Sequence, residues 1–162
     1  MLDLTITPDT DERTLTLSLI LEAERSKIWR CWTEPVLLEK WFCPRPWRVT
    51  DAVLDPRPGG RAEMMMRGPN GEENPIKSIY LEVRPMERIV WTDAFTDAWR
   101  PSDKCFMVAD TLFEDDGPGR TRYVAKALHW TLADKKEHEE MGFYAGWRAA
   151  AIRTGWCARK WP

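Results

Sequence analysis

Metal-binding and nucleotide-binding motifs are scarce in this sequence. Only two histidines and four cysteines occur among 162 residues, and no two cysteines form a Cys-x-x-Cys pair. Zinc sites need closely spaced sulfur and nitrogen ligands. Gly59-Gly60 lacks the Lys-Ser/Thr that follows a phosphate-binding loop, and it is more simply a bend in a sheet. We therefore predict a protein without a cofactor, whose cysteines are the free thiols typical of a reducing cytoplasm.

Long apolar runs and an excess of one charge are also missing. No apolar stretch approaches the roughly 20 residues that span a bilayer, and the first residues lack the basic and apolar regions of a signal peptide. The formal net charge is −2, which gives no general electrostatic reason to bind nucleic acid or an anionic membrane. We expect a cytoplasmic protein with no membrane span and no nucleic-acid partner.

Apolar residues, by contrast, are plentiful. They make up 43% of the chain and include ten tryptophans, which is enough for the core of one domain over residues 1–162. Four of the tryptophans (Trp29, Trp32, Trp41 and Trp47) cluster in sequence. Stacking on nucleic-acid bases would need a basic groove as well, so we favour packing against a sheet.

Alternation of apolar and polar residues predicts seven strands. After a loose arm over residues 1–12, the first strand covers 13–22 and carries Leu15, Leu17, Leu19 and Leu21 on one face. Two short helices, 27–33 and 36–42, follow it. Turns rich in glycine and proline separate the other six strands, which indicates an antiparallel meander. These strands are 48–54, 61–67, 75–84, 87–96, 104–114 and 120–129.

One long helix is predicted over residues 133–160. It has two apolar stripes on different sides, which is typical of an enclosed helix. One stripe contains His138, Met141, Ala145, Ala149, Ile152 and Trp156, and the other Phe143, Trp147, Ala150, Ala151 and Thr154. Gly142 and Gly146 weaken the helix, which would make sense if another backbone approached closely there.

Four motifs in order resemble a known family. They are Trp32-Thr-Glu-Pro with Trp41-Phe-Cys-Pro, Asp55-Pro-Arg-Pro-Gly-Gly-Arg, Tyr80-Leu-Glu-Val-Arg-Pro-Met-Glu-Arg, and Met141-Gly-Phe-Tyr-Ala-Gly-Trp. Together they resemble the AHSA-type branch of the SRPBCC (START-like, helix-grip) superfamily, whose namesake activates a heat-shock chaperone ATPase. The resemblance implies an α+β fold. In it, a curved seven-stranded antiparallel sheet wraps around the long C-terminal helix, with a cavity between them.

The predicted binding site lies on the sheet face and helix stripe that enclose this cavity. The ligand-binding candidates are Met64, Met66, Trp91, Asp93, Met107, Ala109, Tyr123, His138, Met141 and Ala145. Methionine and aromatic side chains suit an adaptable apolar site. The register of strand 75–84 is ambiguous, and we favour Ile79, Leu81 and Val83 facing inward. The alternative is that all of these residues simply fill a core.

Three residues could add chemistry to the site. Asp93 would be an inward carboxylate, which needs a partner or an altered pKa. It could fix a polar ligand group, act as a base, pair with an arginine or lie at the wet end of its strand. His138 could donate to a ligand or exchange protons, or it could be a satisfied histidine near a helix start, while His129 is expected at a strand edge. Cys43 lacks a nearby base that would activate it.

The sequence leaves three functions open. We rank first a non-catalytic carrier or sensor of a small apolar or amphipathic ligand. A cavity-based enzyme, cyclase-like or hydrolase-like, and a chaperone-related protein-interaction module are the alternatives. Phe106, Val108 and Leu112 have outward parity on strand 104–114. They would form an exposed apolar patch, so we also predict a homodimer.

Overall fold

The computed structural model describes residues 12–161. Within this range four α-helices and nine strands form an α+β fold, so the predicted arm falls almost entirely outside the described residues. Their bounds are β1 Thr14–Leu21, α1 Arg25–Thr33, α2 Pro35–Leu38, β2 Arg48–Leu54, β3 Arg61–Arg67, β4 Glu73–Arg84, β5 Arg88–Thr92, β6 Phe95–Thr96, β7 Arg100–Pro101, β8 Val108–Asp115, β9 Thr121–Leu128, α3 Leu132–Glu140 and α4 Phe143–Lys160.

Seven of the strands form one antiparallel sheet, in the order β1-β9-β8-β5-β4-β3-β2. The short strands β6 and β7 pair with each other in a separate hairpin. β1 and β2 lie at opposite edges of the sheet, and the chain crosses between them through α1 and α2. Those helices contact β8 and β2 respectively. The predicted seven-stranded antiparallel sheet with a C-terminal helix is therefore confirmed.

The inner face of β1 shows how alternation builds the core. Leu15 and Leu17 lie opposite Ala127 and Ala125 of β9, and all four side chains are buried. Leucine facing alanine lets large and small side chains interlock at the density of a protein interior. α4 packs against this layer of side chains through its contacts with β1, and it also packs against α1.

The C-terminal helical region differs from the prediction because it is two helices. α3 ends at Glu140, and Gly142 adopts the left-handed conformation with φ of 93° before α4 begins. A glycine just past a helix end accepts this conformation without a Cβ penalty. A Cβ added at Gly142 or Gly146 would meet nothing within 4 Å. The interpretation that a second backbone approaches there is therefore wrong, and Gly142 ends α3.

The second predicted stripe is the one that faces the core. Phe143, Ala151 and Thr154 are buried, together with Cys157 and Ala158 further along α4. In the other stripe Met141, Ala145, Ile152 and Trp156 are exposed, whereas His138 is buried. Sequence spacing identified both stripes, but it could not say which of them the sheet would cover.

The register of β4 also differs from the prediction. Tyr80 lies opposite Trp91, and the pairing then shifts by one residue before Glu82 meets Val90. This bulge at Leu81 leaves Tyr80 and Val83 on the core side. Ile79 is buried too, but it pairs with Thr92 on the opposite face. An extra residue in one strand reverses the face on which the preceding side chains lie.

Candidate functional site

Six of the candidate residues lie on the core-facing side of the sheet. Met64, Trp91, Ala109 and Tyr123 are buried in the main core, and Met66 and Met107 are partly buried against it. Strand alternation places them there. Their role in ligand binding remains a prediction.

Aromatic rings occupy the space above these strands. The ring of Trp32, from α1, lies 4.9 Å from Trp41, 5.4 Å from Trp91 and 6.2 Å from Tyr123 between centroids. Tyr80 stacks on the other side of this group, with its ring 5.9 Å from Trp91. The interior is therefore lined by α1 and by the segment after α2.

Buried polar atoms without partners mark this aromatic interior. The hydroxyl of Tyr80 has no hydrogen-bond partner among the described residues, although Tyr80 is fully buried. The indole N–H of Trp32 also lacks a hydrogen bond of good geometry, although it is close enough to Tyr123 to affect that hydroxyl. Burial raises the pKa of Tyr80, and the nearby charge of Asp55 raises it further. Tyr80 is therefore a neutral hydroxyl that can both donate and accept.

The carboxylate of Asp93 forms hydrogen bonds with the backbone. Its carboxylate accepts the backbone N–H of Phe106 at 2.9 and 3.0 Å and that of Met107 at 3.2 Å. These bonds hold the segment before β8 against the end of β5. Both strands are accordingly shorter than the alternation predicted. Backbone amides, and not the arginine that was one of the alternatives, are therefore the partners of Asp93.

His138 is buried against a second histidine. His129 Nε2 and His138 Nδ1 are 2.9 Å apart, and His129 Nδ1 is 2.9 Å from the backbone oxygen of Arg13. Because a carbonyl only accepts, His129 Nδ1 donates. In the neutral pair His129 Nε2 then accepts from His138 Nδ1–H. His129 is therefore not a free edge residue, and the pair ties α3 to β9 and to the start of β1.

The ring of Phe106 covers this histidine pair. It lies 5.7 Å from His129 and 4.9 Å from His138 between centroids. Phe106, Val108 and Leu112 are all half-buried, and Phe106 uses part of its ring surface to cover the histidines. Dimerisation through this patch remains a prediction.

Met141 and Ala145 face away from the sheet. The Met141 side chain is 69% exposed, and Ala145 is exposed as well. The prediction that they form one wall of the cavity is wrong, because the break at Gly142 and the choice of stripe turn them outward. Phe143 and Trp147 pack toward the core instead.

Two open clefts lie elsewhere on the surface. One is bounded by Leu21, Arg120 and Ile152, and the other by Trp47, Arg153 and Trp156. None of the ten candidate residues lines either cleft. Over residues 12–161 the structure contains no group of three or more histidine, cysteine or acidic side chains placed to hold a metal ion. Those residues also include no helix long and apolar enough to cross a membrane.

The cysteines are free, as predicted. Cys31 and Cys157 are buried with their Sγ atoms 3.3 Å apart, and burial raises the pKa of both thiols. Burial also raises the pKa of Cys43 to about 11, which is the opposite of what activates a nucleophile. Cys105 alone is partly exposed.

This difference predicts the thiol chemistry of the native protein. We expect a disulfide reagent at pH 8 to modify Cys105 quickly and the other three thiols only as the protein opens, because thiolate formation and access control the reaction. Reaction kinetics with and without denaturant would measure this. Cys105→Ser should remove the fast phase, and a fast phase of two or more thiols would contradict the prediction.

The comparisons with known proteins agree with this architecture. The family model for "Activator of Hsp90 ATPase homolog 1-like protein" matches residues 22–153. The solved structure of protein NE0264 from Nitrosomonas europaea is 37% identical, covers 94% of this chain and 97% of its own, and superposes with a TM-score of 0.89. No curated protein matches the chain.

More distant structures share the fold alone. A protein from Arthrobacter aurescens is 22% identical over 96% of this chain and 93% of its own, with a TM-score of 0.79. Protein Ms6760 from Mycobacterium smegmatis is 24% identical over 99% of this chain and 96% of its own, with a TM-score of 0.74.

Proposed function

This chain belongs to the family of activator of Hsp90 ATPase homolog 1-like proteins, and from that premise we propose that it is a non-catalytic binder of a small molecule. The ligand would be apolar or amphipathic. It would lie between the core face of the sheet and the helices that cross it. The residues proposed to contact it are Met64, Met66, Trp91, Met107, Ala109 and Tyr123, together with Tyr80.

The observation that carries this proposal is the hydroxyl of Tyr80. It is buried without a partner among the described residues, and such a group costs about 1–3 kcal/mol when it is left unsatisfied. Buried polar groups are nearly always paired. A ligand with one hydroxyl or carbonyl group on an apolar body would pair this hydroxyl and would contact aromatic surface around it.

The methionines supply the adaptability that such a ligand needs. The aromatic rings fill much of the interior, so a ligand has to displace side chains on entry. Met66 and Met107 are only partly buried, and an unbranched thioether changes rotamer at little cost. We propose that these two side chains give way while Trp91 and Tyr123 hold their places.

The pKa shifts favour binding over catalysis. Burial raises the pKa values of Tyr80 and Tyr123, so neither hydroxyl supplies a phenolate near neutral pH. Burial and the neighbouring His129 lower the pKa of His138 to about 4, but its Nδ1 is already bonded to His129. Asp93 is occupied by backbone amides. A cyclase-like or hydrolase-like activity would need one of these groups to be free.

A conservative variant tests the role of Tyr80. In calorimetric titrations we expect the wild type to bind 2-naphthol more tightly than naphthalene by about tenfold, since one buried hydrogen bond contributes about 1 kcal/mol or more. Tyr80→Phe should abolish that preference. Without ligand, Tyr80→Phe should leave the free energy of unfolding unchanged or higher, because the unpaired hydroxyl is removed.

Tyr144→Phe is the matched control, since it removes the same atom from a partly buried tyrosine on α4. It should keep the preference for 2-naphthol. Equal binding of 2-naphthol by the wild type and Tyr80→Phe, or no binding of either probe, would refute the proposal.

A further inference from the structure

We propose that a second site, on the surface, binds a planar aromatic anion. The site is the C-terminal cleft, which we define by Lys40, Arg45, Trp47, Arg48, Arg153 and Trp156. It lies between the second half of α4 and the segment that joins α2 to β2. This site is separate from the aromatic interior, and none of the residues proposed to contact the interior ligand lines it.

The cleft concentrates positive charge in a protein whose net charge is negative. Lys40, Arg45, Arg48 and Arg153 line it together with one carboxylate, that of Glu39, while the whole chain carries −2. The Glu39 carboxylate already accepts the backbone N–H of Ala52 at 3.0 Å. An anion entering the cleft therefore meets an excess of cations, and charge complementarity of this kind raises both encounter rate and specificity.

Among the described residues, no carboxylate forms an ion pair with these cations. Within residues 12–161 none of the four forms an ion pair, whereas Arg67 pairs with two carboxylates on the sheet. Partial burial lowers the pKa of Arg153, and the nearby positive charge of Arg45 lowers it further. Arginine presents a planar fork that suits carboxylate and phosphate oxygens.

Arg153 is held rigidly at the cleft wall. Its Nη2 donates to the backbone oxygen of Lys40 at 2.6 Å and its Nη1 to that of Cys43 at 2.8 Å. These bonds join α4 to the segment after α2 and fix the guanidinium in place. A cation that is fixed before binding loses little conformational freedom when an anion arrives.

Aromatic surfaces lie beside the charges. Trp156 is 40% exposed, and its ring meets that of Trp161 edge-on at 5.2 Å. Lys40 Nζ lies 4.4 Å from the centroid of the Trp161 ring, which places an ammonium close to aromatic faces. Trp47 forms part of the opposite wall. Because rings stack on tryptophan and anions pair with arginine, the combination selects a ligand that has both features.

The dimensions suit a small molecule. The cleft encloses about 680 Å³ and is open to solvent, which lies within the usual range for small-molecule sites. A naphthalene-sized ring with a carboxylate and a nucleoside monophosphate share the required chemistry. Adenosine monophosphate and 2-naphthoate represent these two sources.

Charge reversal tests the cleft directly. We expect 2-naphthoate to bind the wild type in calorimetric titrations and to bind more weakly as ionic strength rises, since salt screens exposed charges. Arg45→Glu/Arg48→Glu should raise the Kd by about tenfold or more. Both side chains are exposed, so the fold should survive. The double variant Lys77→Glu/Arg148→Glu changes the net charge equally at exposed positions outside the cleft, and it should leave the Kd within about twofold.

Two further comparisons test the aromatic part. Trp156→Ala should weaken binding of 2-naphthoate, and inorganic phosphate should bind the wild type more weakly than 2-naphthoate does. Adenosine monophosphate binding more tightly than 2-naphthoate would identify nucleotides as the source, and the reverse would identify aromatic acids. Equal Kd values for phosphate and 2-naphthoate, or equal losses in the two double variants, would overturn the proposal.

The two proposed sites can be tested independently of each other. Tyr80→Phe should not change 2-naphthoate binding at the C-terminal cleft, and Arg45→Glu/Arg48→Glu should not change 2-naphthol binding in the interior. If Tyr80→Phe abolished 2-naphthoate binding, the anion would occupy the interior and the cleft would not be its site.

Discussion

Trp41→Ala is expected to lower the free energy of unfolding by about 3–5 kcal/mol, the range for removing a buried tryptophan. Trp41 is 2% exposed and its ring lies 4.9 Å from that of Trp32. Its indole N–H donates to the backbone oxygen of Cys31 at 2.8 Å. That oxygen belongs to the last turn of α1, where carbonyls lack partners within the helix. The substitution therefore leaves both a cavity and an unpaired carbonyl.

Two variants make this result interpretable. Trp41→Phe keeps an aromatic ring but cannot donate to Cys31, so it should lose less than Trp41→Ala. Trp156→Ala removes the same side chain from an exposed position and should change the free energy of unfolding by less than about 1 kcal/mol. Denaturant titration measures all three. A loss for Trp41→Ala no larger than that for Trp156→Ala would show that the aromatic interior is not part of the core.

The sheet could be predicted because local pattern and global fold agree there. Leucine alternates with polar residues through β1, and glycine–proline turns separate the later strands. β4 shows where this reasoning fails. Ile79 and Tyr80 are adjacent, and both are buried, on opposite faces. Alternation cannot choose between two apolar neighbours, and the bulge at Leu81 changes parity without a sequence signal as strong as glycine.

The site was harder to predict because its parts are distant in sequence. Trp32 was assigned correctly to packing, but Tyr80 was missed since its strand was assigned to the wrong register. His129 follows β9 and His138 lies within α3, so their pairing depends on the angle of α3. The positive C-terminal cleft combines residues 39–48 with residues 153–161, so neither the net charge nor any single run of residues reveals it.

Acid should destabilise this protein through the histidine pair. Burial, together with the neighbouring His129, lowers the pKa of His138 from 6.5 to about 4. The unfolded chain therefore binds a proton between these pH values that the folded protein does not. This contribution to stability is lost as the pH drops from about 6.5 to about 4. It is at most about 3 kcal/mol by the size of the shift, and solvent screening reduces it.

The surroundings of the histidine pair explain why protonation of His138 is unfavourable. The rings of Phe106, Phe143 and Trp147 surround His138 at 4.9, 5.2 and 5.7 Å between centroids, and none of these contacts offers a carboxylate. His138 Nδ1 already carries the hydrogen that it donates to His129 Nε2 across the 2.9 Å contact. A further proton on His138 would therefore go to its Nε2 and would place a buried positive charge among these rings.

His138→Asn isolates this effect. Its amide N–H can donate to His129 Nε2 from near the position of Nδ1, but it does not titrate. The free energy of unfolding, measured by denaturant titration from pH 7 to pH 4, should therefore fall less in His138→Asn than in the wild type. Carboxylate titration contributes equally to both proteins, so the difference between the curves reports the replacement of His138 in the pair. Parallel curves over this range would show that His138 carries no depressed pKa and that the pair does not make α3 sensitive to acid.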